Sequence, residues 1–534
     1  MPDSPPPADA PPTTARPDKR LGLLLAMAMF VLVVDTSLMN VSISAVVRDL
    51  DATVSGVQSA IALEALVSAS FILIGGKVAD LIGRKRAYIL GLCGYGVGAI
   101  AMTLAQSLVA VIVFWAIIGG IGASLLLPGM QSLIHGNFEG AAQKRVYALV
   151  GASAAIAAAI GPLVGGFLTT VLSWRVAFLG EAVIIAVVLS GAGLVKDVPY
   201  TGSRKVDVVG AVLSVLGMGG LVLGVLVWQE GGEAVAALIA VGVVGLGSLV
   251  YWLVRRHRTG HVTLVDPTLF SSLHFRLGIS GQMTQQIALG GAMITLPIYF
   301  QMVLEYNALE AGISLAPLSL SMFALSAIAG KRAAHRRPSG IIRIGFLLLA
   351  LGLAAVVVVV PRGDSGWALA LPLAVTGAGL GLLVSQLNNY TLAPISEERV
   401  SEASAVNSAA GSFGLSFGLA FAGAVMLAAM STAFTSQANA SDVLPPDAKD
   451  QVAQALEDDA QVMSNTQLDQ QLEGQPQDVQ DEIISINTDV RPLALQIGLA
   501  VPILSALIGL LLSFRMVRLP DVEPSSDVEG MLGG

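Results

Sequence analysis

Long apolar runs recur along the chain, starting near Leu21, Val57, Ala87, Leu108, Val146, Val176, Val206, Ala234, Leu277, Gly312, Ile341, Trp367, Ala403 and Leu493. Each continues for about 19 to 27 residues, the length a helix needs to cross a hydrocarbon core. None alternates apolar with polar positions, so the period of two that marks a strand or a membrane barrel is missing. Backbone groups in lipid must be satisfied within the segment, and only helices then remain. The pattern predicts an all-α integral membrane protein with 14 transmembrane helices.

Composition fits lipid as the solvent, with 54% of 534 residues hydrophobic and 12% charged. The net charge of −8 gathers in one stretch, Ser431 to Asp489, where twelve acidic residues face Lys449 alone. That stretch reads as a solvated extracytoplasmic hairpin, with a substrate-attracting acidic mouth as the alternative. Short amphipathic pieces in it, DQVAQALEDDAQ and VQDEIISI, are candidates for surface helices. Cys93 is the single cysteine. Disulfides and thiolate metal sites are thereby excluded, and a packed thiol is expected. The opening MPDSPPPADAPPTTARPDKR is Pro-rich and polar, and the run after it is too long for a signal-peptide core. It reads as a disordered cytoplasmic tail leading into a signal anchor.

Placing both termini inside leaves only Arg48, Arg175, Arg362, Lys449 and Arg491 outside, of 29 Lys and Arg. This asymmetry sets the orientation, with the chain multi-pass in the cell inner (cytoplasmic) membrane. Two comparable blocks of six segments flank an additional pair. The divisions are 1–20 for the tail, 21–198 for the first six-helix bundle and 199–258 for the added pair. The second bundle is 259–515, including the acidic loop 431–490, and the cytoplasmic tail is 516–534. GGKVADLIGRKR after the second segment has a degenerate copy after the tenth, GKRAAHRRPSG, whose acidic position is Ala334.

The motifs sharpen this. In GKVADLIGRKR, Gly76 and Gly83 permit a tight turn, and Asp80 can pair with Arg84 or cap a neighbouring helix, with Lys85 beside them. A positive-inside turn accounts for the basic residues but not for the Gly and Asp spacing. The fifth segment carries GPLVGGFL, where Pro162 bends the helix and Gly161, Gly165 and Gly166 allow close helix approach. The first segment holds VVDTSLMNVSI, with Asp35, Thr36 and Asn40. Further blocks are SWR at Ser173 to Arg175, DVVG at Asp207 to Gly210, LPIYFQMVLEYNALEAG at Leu296 to Gly312 and SEASAVNSAAGSFG at Ser401 to Gly414.

Together these blocks resemble the 14-helix drug:proton antiporter branch of the major facilitator superfamily across nearly the whole chain. The resemblance implies a major facilitator fold of six plus two plus six helices. It also implies a conformational latch at Gly76 to Lys85 and an antiporter motif at Gly161 to Gly166. One departure bears on the mechanism. The fourth segment reads FWAIIGGIGASLLLPG, with Ala116 at the site where this branch carries an arginine, so that residue's coupling role does not carry over. Glu181 is a second departure, standing where asparagine is usual.

A charge at mid-membrane costs about 2.5 to 3.5 kcal/mol on insertion scales, which makes acidic residues inside the spans candidates for function. These are Asp35, Glu64 and Glu181. Low dielectric favours the neutral form of a carboxyl group, so Asp35 and Glu64 are candidate proton carriers. Glu181 is read first as a residue near the outer interface paired with Arg175, ahead of a coupling role. Gln282, Gln285, Gln286, Gln386, Asn388, Asn389 and Asn407, together with Asn40, are candidates to line a central cavity. Interhelical hydrogen bonding is their alternative.

The five histidines lie near predicted cytoplasmic ends, and neither a GxxxxGK[ST] loop nor an HExxH motif occurs. Enzyme chemistry and ATP-driven transport lack support, and no cofactor or metal is expected beyond a proton gradient. The expected function is proton-coupled efflux of amphiphilic drugs or metabolites, conferring multidrug or antibiotic resistance. The expected partners are the amphiphilic substrate, protons and the lipid bilayer, with no nucleic acid, for a monomeric chain. A dedicated exporter of one endogenous lipid or secondary metabolite, and an uncoupled facilitator or receptor that keeps the fold, are the alternatives.

Overall fold

The computed structural model describes residues 19–138, 140–197, 206–229, 232–332, 337–362, 365–445, 449, 465, 468–469 and 472–520. The first 18 residues, Ala334 and His335 of the degenerate repeat, the stretch DQVAQALEDDAQ and residues 521–534 lie outside these. Among the described residues, fourteen helices are long and apolar enough to span a membrane. They are α1 (Lys19–Val41), α2 (Val54–Ile82), α3 (Arg84–Leu104), α4 (Leu108–Ile134), α5 (Arg145–Val171) and α6 (Trp174–Leu194). The pair is α7 (Val208–Trp228) and α8 (Val235–Arg258). The remainder are α9 (Leu273–Val303), α10 (Ala308–Ala329), α11 (Pro338–Val359), α12 (Gly366–Leu392), α13 (Glu402–Ala440) and α14 (Gln477–Arg518). No strand occurs among the described residues.

Helices α1 to α6 pack mainly on one another, as do α9 to α14. The halves meet along two seams, α2 with α13 and α5 with α10. Helix α7 lies over the first seam, touching both α2 and α13, and α8 packs outside it on α7. Small residues set that α7/α8 contact: a Cβ on Gly220 would sit 2.5 Å from the Gly242 nitrogen, so side chains have no room there. Asp207, buried just before α7, ties the pair down. It accepts from the Gly210 and Leu264 amides and from the Trp252 indole, with Arg256 3.8 Å away.

Two sequence expectations change. Cys93 is exposed, not packed. It lies on a stripe of α3 with Leu90, Val97 and Ile100, all exposed, which is the face a membrane helix turns to lipid. The acidic segment is also less of a free loop than expected, because residues 431–440 belong to α13 and α14 begins at Gln477, not near Leu493. The cause is an apolar stripe, Val479, Ile483, Ile486 and Val490, at helical spacing. All four are buried in one cluster with Leu444. Ser441 donates to Glu482 at 2.6 Å, and the Lys449 ammonium donates to the Asn439 and Ser441 carbonyls. This end of the bundle, opposite Lys19 and Arg518, is called distal below.

Candidate functional site

Asp35 of α1 is 1% exposed and takes its hydrogen bonds from two neutral aromatic donors. The Tyr95 hydroxyl on α3 donates to Oδ2, and the Trp115 indole N–H on α4 donates to both oxygens, at 2.9 Å and 2.8 Å. Trp115 is set edge-on against Phe178 of α6, with ring centres 6.3 Å apart, and Phe178 in turn against Trp174. Residues Val111–Gly119 of α4 form a π-helical stretch. Its wider turn inserts one residue and changes which side chains face a neighbour. Trp115 meets Asp35 there, and Ala116 is a fully buried packing residue.

Two more carboxyl groups gather at this point. Glu64 of α2, 8% exposed, and Glu181 of α6, 3% exposed, both interact electrostatically with Asp35, and Tyr95 does so with all three. Neither carboxyl oxygen of Glu181 has a hydrogen-bond partner. Among the described residues no Lys, Arg or His forms an ion pair with any of the three. Buried charge without a counter-ion is resolved by taking up a proton, so what this cluster can do chemically is bind and release protons. The expected Glu181–Arg175 pair is absent. Arg175 is taken by Asp49 and the Ala105 carbonyl and stacks on Trp174 at 4.5 Å, while Glu181, nearly two turns on, points into the bundle.

The turn between α2 and α3 places the predicted latch residues together. Gly83 has φ +99°, a conformation that strains any other residue, and Asp80 faces Arg84 at 3.6 Å. Asp197, which follows α6, supplies a helix cap that the motif alone does not announce, accepting from the Lys85 amide at 3.1 Å. Gly76 sits at ordinary packing distance from Pro128. Its neighbour Gly75 is the tight position, because a Cβ there would run into the Ser124 carbonyl oxygen.

The glycines of α5 serve two contacts. Gly161 and Gly165 lie against Ser37 and Leu38 of α1, so a Cβ on either would fall 2.6 Å from those side chains. On the other side a Cβ at Gly166 would enter the Ala308 carbonyl of α10, and one at Gly312 the Pro162 carbonyl. Thr170 donates to Asn307 at 3.5 Å and accepts from the Leu309 amide at 3.0 Å. Gln301 lies in a second π-helical turn, Tyr299–Val303, just after Pro297. It accepts from the Ser44 amide and donates to the Asn40 carbonyl. The two halves are thus stitched at the distal end. Toward the termini, Gly151 and Ala152 of α5 and Ala324 and Ala327 of α10 are exposed. Among the described residues, one cross-bundle side-chain bond lies on that side, Ser404 to Gln131 at 3.1 Å.

The predicted cavity residues do not converge on the carboxyl cluster. Asn40 turns back to the Thr36 carbonyl at 2.8 Å. Gln282 and Gln286 lie beside Gly411 and Gly414 of α13, and Asn388 accepts from Asn407 at 3.1 Å. Gln386 reaches Ser385 at 3.4 Å, Asn389 is half-buried, and Gln285 is buried with both amide atoms unpartnered.

The sequence profile of the Major Facilitator Superfamily matches residues 25–419. The chain belongs to that superfamily. It is a membrane transporter and not an enzyme. Among its relatives are a probable actinorhodin transporter of Streptomyces coelicolor, 26% identical over 75% of this chain and 71% of that protein, and the multidrug export protein EmrB of Escherichia coli, 26% identical over 72% and 76%. The puromycin resistance protein pur8 of Streptomyces alboniger is 29% identical over 74% and 79%. Solved structures agree in fold. A bacterial homolog of the human lysosomal transporter Spinster aligns with TM-score 0.62 at 12% identity, covering 96% of this chain and 100% of that one. A peptide transporter POT aligns with TM-score 0.59 at 14% identity, over 94% and 96%. Within this superfamily fold, Tyr95, Trp115, Gln301 and Asp197 carry contacts that motif reading did not single out. The first two read as apolar core, and only an indole N–H and a phenol O–H distinguish them.

Proposed function

We propose that this transporter is a proton-coupled exporter of amphiphilic drugs or metabolites, resident in the cytoplasmic membrane with both termini inside. The observation that carries this is Asp35, buried and bonded by neutral donors without a cation, so its charge state is set by a proton. A proton entering from outside binds the Asp35 carboxylate. Substrate capture from the inside and proton loading exclude one another, so release of one permits binding of the other. Inward proton movement is worth about 2.3 kcal/mol per charge per 100 mV, enough to drive a modest gradient. The relatives named for multidrug export and puromycin resistance support the direction and the substrate class. A single chain suffices, and the proton gradient takes the place of a cofactor.

The replacement of a cation by Trp115 favours a second reading, an uncoupled facilitator. Proteoliposomes loaded with a pH indicator separate the two. With ethidium and puromycin as probes, wild-type protein should move protons against substrate, and Asp35→Asn should retain binding but lose proton movement. Equal exchange by the variant refutes the coupling role of Asp35.

A further inference from the structure

Glu181 has no part in the exchange cycle just described, yet it is buried with neither carboxyl oxygen hydrogen-bonded among the described residues. We propose that Glu181 is a second proton-binding group, held neutral beside Asp35, so that the first bundle carries two protons that titrate as a linked pair. This deepens the proton-exchange reading and rests on it.

Glu181 lies on α6 at 3% exposure, with both oxygens buried and unpartnered. The groups that act on it are Asp35 from α1 and Tyr95 from α3, with Glu64 of α2 acting on both of those. All are acids, so among the described residues no element packed around Glu181 offers a counter-charge. An anion there would lack both a donor and a cation, a state that a buried carboxyl group leaves by taking a proton. Asp35 does not compete for that fate on equal terms, because Tyr95 and Trp115 already solvate its anion. The arrangement divides the labour: Asp35 can shed its proton while Glu181 keeps one, and two neighbouring acids then release protons in separate steps. Glu64, the most exposed of the three, is the member nearest an accessible surface.

Infrared spectra of the full-length protein in liposomes test this without any substrate, through the C=O stretch of protonated carboxylic acids followed against pH and on exchange into D2O. Wild-type protein should show a protonated carboxyl band at neutral pH that Glu181→Gln deletes, Glu181→Asp moves in frequency, and Asp35→Asn and Glu64→Gln retain. Titrated in weakly buffered suspension from strongly alkaline pH, where Glu181 is ionised, down to neutral, Glu181→Gln should take up one proton fewer per chain than wild type. Identical spectra and identical proton uptake for Glu181→Gln and wild type overturn the proposal. If the band is lost in Glu181→Gln while Asp35→Asn exchanges as fast as wild type, the second site stands and the Asp35 reading falls. Glu181→Asp keeps the proposal testable should the glutamine variant misfold.

Discussion

Adding a single methyl group at Gly166 should tilt the protein toward opening at its distal end. The Cβ of Gly166→Ala is driven into the backbone carbonyl of Ala308, a group that cannot swing away as a long side chain can. Overpacking of this kind costs about 1 to 3 kcal/mol. The cost falls only on the state in which α5 and α10 touch, so the ratio of distal-closed to distal-open chains should drop by about 5- to 150-fold. Thr170 and Asn307 report that ratio, because their side chains meet at 3.5 Å in the closed seam. With exposed Cys93 changed to Ser and cysteines placed at 170 and 307, a short thiol cross-linker should join them readily in the parent and far more slowly in Gly166→Ala. Gly161→Ala is the control. Its Cβ strikes Ser37, inside the first bundle, and should lower thermal stability without changing the cross-linking. Equal cross-linking in folded Gly166→Ala and parent protein would falsify the assignment of this glycine to the gate.

Removing the Gln301 bridge should act in the same direction with less force. Gln301→Leu loses two hydrogen bonds of about 0.5 to 1.5 kcal/mol each, read as a smaller fall in the same cross-link. Asp207→Ala should destabilise the protein by about 1 to 3 kcal/mol, since it leaves the Trp252 indole and the Gly210 and Leu264 amides without their acceptor. A loss under about 0.5 kcal/mol in detergent unfolding would sink that account. Asp266 joins the α8–α9 linker to the chain just before α13 through Arg399 at 3.0 Å, with His257 at 3.6 Å. Partial burial opposes its charge, but bonds from Thr268 and the charges of Arg399 and His257 outweigh that and hold its carboxyl below the usual carboxylate range. A depressed value means the contribution is complete above the ordinary value of about 3.9 and fades as pH falls through the folded one. Asp266→Asn should therefore be less stable than wild type at neutral pH, by under about 1 kcal/mol for so exposed a pair, and the gap should close in strong acid. A gap that widens on acidification contradicts the sign.

Most helix boundaries were legible in the sequence because lipid imposes one rule, a run of apolar residues of fixed length, and α4, α7 and α8 begin within two residues of expectation. The exception is instructive. Helix α14 starts at Gln477 because its first turns are amphipathic, and a search for unbroken apolar runs discards such turns. The site was legible residue by residue but not as a constellation. Asp35, Glu64 and Glu181 each stood out as a costly side chain in a span, yet nothing in their spacing places three helices side by side. With Ala116 at the arginine site, the motif assigns no partner from α4 to Asp35. A π-helical turn, invisible in hydropathy, brings the adjacent Trp115 to it instead. Glu181 was assigned to the interface on its nearness to Arg175 in sequence, and Arg175 proves to be satisfied by Asp49 and Ala105.

On the proposed exchange reading, what joins the Asp35 site to the distal seam is the end of α1 and the turn that follows it, residues 35–44. Asp35 receives Tyr95 and Trp115, Ser37 and Leu38 lie in the notches of Gly161 and Gly165, and Asn40 and Ser44 meet Gln301. These contacts fall within ten residues, about 15 Å along a helix, and they reach α3, α4, α5 and α9 in turn. Both π-helical turns among the described residues present a side chain to this same stretch. Wide turns are strained and able to re-register, and at a contact of this kind re-registration changes a neighbour's position by a residue, not by a fraction of an ångström. A change of charge on Asp35 alters the pull on Trp115, and through α1 alters the fit of the α5 glycines and the Gln301 bridge. Cores as densely packed as these respond by switching between discrete arrangements, because continuous bending would open voids. On the proposed exchange reading, this short segment is where proton occupancy and distal closure depend on one another.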